Sequence, residues 1–133
     1  ECERGLALIA AKINAVGKRI AIMSGDDDLG FPTFLLGSPG GIFTTANLVP
    51  AIHRKLFEAA VKGDLKQARS LHYALLPLIE ALYTANHPGP LKEAMAFVGH
   101  PAGRARSPLQ KANPENLKLA EAALRKLEEF VGA

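Results

Sequence analysis

Two short apolar runs, Ile20–Met23 and Gly41–Thr44, constrain this chain more than any other feature of its sequence. Neither alternates apolar with polar residues, as a half-exposed strand does. Consecutive apolar positions (Ile20, Ala21, Ile22, Met23; Ile42, Phe43) mark parallel strands covered on both faces. A compact amphipathic segment, Leu29 to Leu36, lies between them, so the unit reads strand–loop–helix–strand, a right-handed crossover. Small and polar residues follow each run: Ser24-Gly25-Asp26-Asp27 after the first, Thr44-Thr45-Ala46-Asn47 after the second. Polar groups at the carboxyl ends of parallel strands are where α/β folds place their chemistry. Two parallel strands are too few to shield their own edges in water. The expected architecture is therefore α/β, with these as the last two strands of a larger parallel sheet or barrel whose earlier strands precede residue 1. The alternative is a small α/β domain closed by its own helices.

The flanking pattern is helical. Leu6, Ile9, Ala10 and Ile13 recur at helical spacing, with Gly17 as the stop. One of Asp26, Asp27 and Asp28 is expected to cap the Leu29–Leu36 helix, which ends near Gly37. Ser38-Pro39-Gly40 reads as a turn. Asn47 is placed to cap the next helix and Pro50 sits in its first turn, where a missing N–H is harmless. That helix carries Ile52, Leu56, Ala59 and Ala60 to Gly63. From Asp64 onward everything is helix. Asp64 caps a long segment with Ala68, Leu71, Leu75, Leu78, Ile79 and Leu82 on one face, which Pro77 is expected to kink. Asn86-His87-Pro88-Gly89-Pro90 breaks it. A short helix from Leu91 to Val98 ends at Gly99, a loop spans His100 to Leu109, and a last helix after Asn113-Pro114-Glu115 turns Leu117, Ala120, Leu124 and Leu127 to the core.

Composition narrows the function. The 133 residues carry sixteen Lys and Arg against thirteen Asp and Glu, interspersed rather than clustered, with 6% aromatics and no Trp. A nucleic-acid surface shows a basic stripe with interleaved aromatics, so no nucleic-acid partner is expected. No apolar run approaches the roughly eighteen residues that cross a membrane, and the amino terminus lacks a signal-peptide pattern. The single cysteine, Cys2, forms no internal disulfide or C-x-x-C metal motif and reads as a small core residue. A reducing cytoplasm is the expected compartment. His53, His72, His87 and His100 are scattered, without carboxylates at ligand spacing, and read as surface or helix-contact residues. No metal site is expected.

At Ser24-Gly25-Asp26-Asp27 and at Gly40-Gly41-Ile42-Phe43-Thr44-Thr45-Ala46-Asn47 the chain resembles the dihydrodipicolinate synthase / N-acetylneuraminate lyase family. In that family one strand ends in S-G-D-D and the next reads G-x-x-G-x-I-S-x-x-x-N. Asn86-His87-Pro88-Gly89-Pro90-Leu91-Lys92 resembles its N-P-x-P-x-K segment, and Arg106-Ser107-Pro108-Leu109 its R-x-P-L. Four motifs in the family's order span most of the chain. The resemblance implies the carboxyl-terminal part of a (β/α)8 TIM barrel over residues 1–62, followed by a helical extension over residues 63–133. A full barrel needs roughly 250 residues.

The resemblance also implies chemistry. Its members form a Schiff base between pyruvate and a lysine. Counting back from Gly25 puts that lysine immediately before Glu1, so no catalytic residue is expected within the chain and pyruvate is bound covalently outside it, with no other cofactor. Lys92 and the other lysines are not Schiff-base candidates, because that role needs a desolvated barrel pocket to depress the amine pKa. Gly25 lets the loop approach substrate closely, and Asp26 and Asp27 contact the second substrate or serve only as helix caps. Asp28 occupies part of the acidic pair of the sialate-lyase branch. Ile42 is a core strand residue, or one whose carbonyl faces pyruvate, or both. Phe43 stands where many members have a small residue. Its ring either narrows the pocket or packs outward against the next helix. Thr44 is a hydroxyl contact or a plain strand end. The implied partners are small molecules, pyruvate and an aldehyde, in an expected homotetramer. Dihydrodipicolinate synthase is the leading reading. The alternatives are a member acting on 2-keto-3-deoxy sugar acids, sialate or a hydroxyproline-derived substrate, or a non-catalytic half-barrel module.

Overall fold

The computed structural model describes residues 5–84 and 87–131. The expectations for Glu1, Cys2 and Asn86 lie outside the described residues. Among the described residues six α-helices run in order: α1 (Leu6–Val16), α2 (Gly30–Leu35), α3 (Pro50–Lys62), α4 (Leu65–Leu82), α5 (Gly89–Ala94) and α6 (Pro114–Val131). Short 3₁₀ turns at Asp27–Leu29 and Thr45–Asn47 precede α2 and α3, and a third, Met95–Val98, extends α5.

The expected strands are reduced to one contact. Among the described residues no strand forms. Ser24 and Gly41 make a single parallel bridge, in which Ser24 N donates to Gly40 O at 3.2 Å and Ile42 N to Ser24 O at 2.9 Å. The Ser38 hydroxyl shares its proton between Ile22 O and Gly40 O, at 2.7 and 2.8 Å. The expectation of strands covered on both faces is corrected likewise: Ile20 is 56% exposed and Ile42 58%. Ile42 is therefore not a core residue here. The physical reason is that no further strand lies beside either segment among the described residues. A parallel ladder gains strength from neighbours on both sides, and these two segments have only each other.

The core lies on the helical side. Ile52, Leu56, Leu75, Leu78, Leu82 and Leu127 are all but fully buried where α3, α4 and α6 pack together. Each such side chain contributes about 1.5–3 kcal/mol of transfer free energy. Asp64 caps α4 through Oδ1, which accepts from Gln67 N at 3.0 Å, and α4 continues through Pro77 as one element. Gly63 closes α3 in the left-handed conformation, φ 80°, the usual use of glycine at a helix end. The loop between Val98 and α6 forms as expected. Leu117 is only half-buried, whereas Ala120, Leu124 and Leu127 reach the core.

Phe43 ties α2 to α3. Its ring is buried, meets Phe34 of α2 edge-on at 6.0 Å and stacks on His53 of α3 at 4.9 Å. Of the two alternatives for this residue, packing against the next helix is the one observed. Glycine at two positions makes room for the ring. A Cβ on Gly30 would lie 2.8 Å from its Cζ, and one on Gly41 would overlap the ring outright. Gly41→Ala is expected to lower stability by about 1–3 kcal/mol through overpacking. A Phe43→Leu change made alongside should recover part of that loss in denaturant unfolding, and failure to recover any would refute the steric cause.

Candidate functional site

The two turns that follow the bridged segments are locked together by one side chain. Asp27 is 2% exposed. Its Oδ2 accepts from Thr44 N at 2.9 Å and from the Tyr83 hydroxyl at 3.0 Å. Its Oδ1 accepts from Thr45 N at 2.7 Å and from the Thr45 hydroxyl. A carboxylate can be buried when its lone pairs are filled this way. None of the three aspartates caps the following helix with its side chain. Asp27 reaches seventeen and eighteen residues forward along the chain, because the backbone N–H groups at Thr44 and Thr45 open the next turn and are otherwise unpaired. Asn47 likewise caps nothing on α3. Its Nδ2 donates to Thr44 O at 2.9 Å and holds the same turn.

Proton directions follow from the acceptor-only carboxylate. Thr45 gives its hydroxyl proton to Asp27, so His53 Nε2, 2.7 Å from Thr45 Oγ1, carries the hydrogen in that bond. This is the neutral Nε2–H tautomer, with Nδ1 buried and without a partner. His53 is therefore a core residue of this network, correcting its reading as a surface or helix-contact histidine. Burial pushes its pKa below the usual 6.5, against a smaller opposing pull from Asp27. A group whose pKa is depressed on folding stabilises the fold fully above its unfolded value. That stability is lost as pH falls below 6.5 through the folded value. Unfolding free energy is thus expected to drop between pH 7.5 and 5.5, and His53→Gln should flatten the slope. His72, lowered mainly by its own burial, adds a contribution that this variant leaves in place.

Tyr83 completes the arrangement from the carboxyl end of α4. Its hydroxyl lies 3.0 Å from Thr44 Oγ1 as well as from Asp27. Its ring stacks on His87 at 5.0 Å, the two planes nearly parallel at 5°. Burial, chiefly, pushes the phenol up to about 12, with the Thr44 hydrogen bond opposing. Tyr83 also lines a cleft of about 530 Å³ with Leu6, Asp26, Asp28, Leu76 and Glu80.

The five residues singled out from the sequence stand as follows. Asp27 and Thr44 meet directly. Asp26 is half-buried at the cleft, one carboxylate oxygen enclosed without a partner. Gly25 and Ile42 each follow a member of the Ser24–Gly41 bridge, Gly25 half-buried and Ile42 exposed. A larger groove of about 830 Å³ between α3, α4 and the end of α6 is lined by Lys55, Lys62, Asp64 and Glu129, among others, and by none of these five. Among the described residues no group of three or more His, Cys, Asp or Glu is placed to hold a metal ion, and no helix is long and apolar enough to cross a membrane.

Sequence reasoning missed Thr45, His53 and Tyr83. For His53 a signal was present: it shares the buried face of α3 with Leu56 and Ala60 at helical spacing. For Tyr83 there was none, since nothing local separates a tyrosine at a helix end that reaches a distant carboxylate from one that faces water.

Two segments bridged in parallel, each leading through a polar turn into a helix, define a crossover of the parallel α/β class. Within that class the sequence is specific. A model of the dihydrodipicolinate synthetase family matches residues 1–127, and the chain belongs to this family. The 4-hydroxy-tetrahydrodipicolinate synthase of Methanocaldococcus jannaschii is 38% identical over 109 residues, covering 82% of this chain and 38% of that protein. The enzyme of that name from Archaeoglobus fulgidus is 33% identical over 128 residues, 96% of this chain and 44% of its own. Among solved structures, the dihydrodipicolinate synthase from Aquifex aeolicus superposes with a TM-score of 0.81 at 32% identity, over 98% of this chain and 44% of that one. The 4-hydroxy-tetrahydrodipicolinate synthase of Methylacidiphilum fumariolicum gives 0.87 at 29%, over 99% and 44%. The chain spans less than half the length of these relatives.

Proposed function

We propose that this chain is the carboxyl-terminal part of a (β/α)8-barrel 4-hydroxy-tetrahydrodipicolinate synthase, a class I lyase that condenses pyruvate with aspartate semialdehyde. The observation that carries the proposal is the Asp27 latch. It ties the S-G-D-D turn to the T-T-A-N turn at the carboxyl ends of the two bridged segments, in a chain whose relatives carry that name. On this reading residues 1–62 close the barrel, and Ile20, Met23 and Ile42 are covered by its earlier strands. Residues 63–133 form the extension that assembles a homotetramer in the cytoplasm.

The chemistry begins on a lysine just before residue 1. Its amine condenses with the pyruvate carbonyl, losing water, to give an iminium. The iminium draws electrons from the methyl group, which loses a proton to become an enamine. The enamine carbon then attacks the aldehyde. This chain supplies the pocket wall. Gly25 leaves room for close approach, and the Ile42 carbonyl and the Thr44 hydroxyl face the substrates. Asp26, with an unpartnered oxygen, is the better carboxylate for substrate contact. Asp27, with both oxygens engaged, holds the wall in shape. A second reading, action on a 2-keto-3-deoxy sugar acid or sialate, is favoured only by the third aspartate, Asp28, which lines the same cleft as Asp26.

Borohydride treatment of the full-length polypeptide with pyruvate should trap an adduct on a lysine next to Glu1, and the polypeptide should have about twice this chain's 14.2 kDa. A polypeptide of 14.2 kDa without an adduct would establish the non-catalytic alternative. Turnover of aspartate semialdehyde rather than a sugar acid separates the two enzyme readings.

A further inference from the structure

The Tyr83 hydroxyl lies 3.0 Å from both Asp27 Oδ2 and Thr44 Oγ1 and has one proton to give. Asp27 also receives Thr44 N, Thr45 N and the Thr45 hydroxyl, four donors around one acceptor-only group. Two lone pairs facing each other at this distance repel, so the Tyr83 proton points to the carboxylate. The Tyr83 oxygen then has only lone pairs to offer Thr44, and Thr44 must be the donor in that contact. The proton of Thr44 is thus committed. What its half-buried side chain retains for any ligand is acceptor capacity alone.

We propose that Tyr83 is a positioning residue that sets the polarity of Thr44, presenting it to the second substrate as a hydrogen-bond acceptor, so that the subsite at Thr44 takes a hydroxyl or ammonium group and disfavours a carboxylate. The substrate half of this inference rests on the lyase reading. The proton arrangement does not. A threonine free to rotate would serve donors and acceptors alike. One oriented by a tyrosine at the distant end of α4 discriminates between them, because pairing it with an anion leaves two lone pairs opposed. The orienting residue lies thirty-nine positions away, and His87 stacked on its ring holds it in place.

Two measurements on the full-length protein test this. In a neutron structure of deuterated protein, the Tyr83 deuteron should point at Asp27 Oδ2 and the Thr44 deuteron at Tyr83 Oη. The reverse polarity overturns the proposal whether or not the protein is an enzyme. In steady-state kinetics, Tyr83→Phe should raise KM for the amino- or hydroxy-aldehyde about three- to tenfold, the worth of one hydrogen bond, and well beyond its effect on kcat. Thr44→Val should do the same, Thr44→Ser should restore what Thr44→Val loses, and adding Tyr83→Phe to Thr44→Val should cost little more. Additive effects, or a Tyr83→Phe loss confined to kcat, would show a merely structural tyrosine and overturn the proposal. Absence of a pyruvate adduct in the unaltered protein overturns the lyase reading, and with it the substrate half.

Discussion

Asp27→Ala is expected to destabilise the protein by about 3–5 kcal/mol, in the range seen when one partner of a buried charged network is removed. The change orphans two backbone N–H groups and two hydroxyl protons at once, in a site that alanine leaves too small and too apolar to repair. The sharper comparison is Asp27→Asn, which keeps the shape. Every partner of Asp27 is a donor, so whichever way the amide turns, its NH₂ faces two of them. Asparagine should therefore recover only a small part of the loss. Equilibrium unfolding in urea measures both variants, and an asparagine variant close to the unaltered protein would mean that shape, not acceptor capacity, holds the turns together.

The second large effect lies in the helical core. Leu78→Ala should cost about 2–5 kcal/mol, the transfer term of the lost methyl and methylene groups plus the cavity left behind. Leu78 has no exposed surface, in the tightly packed stretch of α4 that includes Leu75 and Leu82. Leu119, on α6 but 56% exposed, is the internal control, and its change to alanine should stay within about 0.5 kcal/mol. Similar losses at both positions would contradict the described packing of α4 against α6.

Much of the fold could be read from the chain itself. The helices declare themselves through spacing and stop signals. Gly17, Asp64 and Gly63 act where their residue types suggest. The parallel relation of the two extended segments was also legible, as was the place where polar residues gather. Phe43 left two alternatives open, and the fold selected one by giving the ring a histidine to stack on and two glycines to clear its path.

The candidate site was legible as an address rather than an arrangement. Gly25, Asp26, Asp27, Ile42 and Thr44 lie in or beside the two turns that Asp27 joins, yet the sequence offered helix capping as a role for Asp27, which it does not play. A side chain's hydrogen-bond partner depends on which donors lie within about 3 Å. For Asp27 those donors come from eighteen and fifty-six residues away.

The sequence by itself determined the helices, the parallel relation of the two extended segments and the family, because these depend on residue types at short and regular spacing. Only the tertiary structure decided that Asp27 is a latch, that His53 is buried and neutral, and that Tyr83 governs the Thr44 hydroxyl. Each of these depends on long-range contact, which no local pattern encodes.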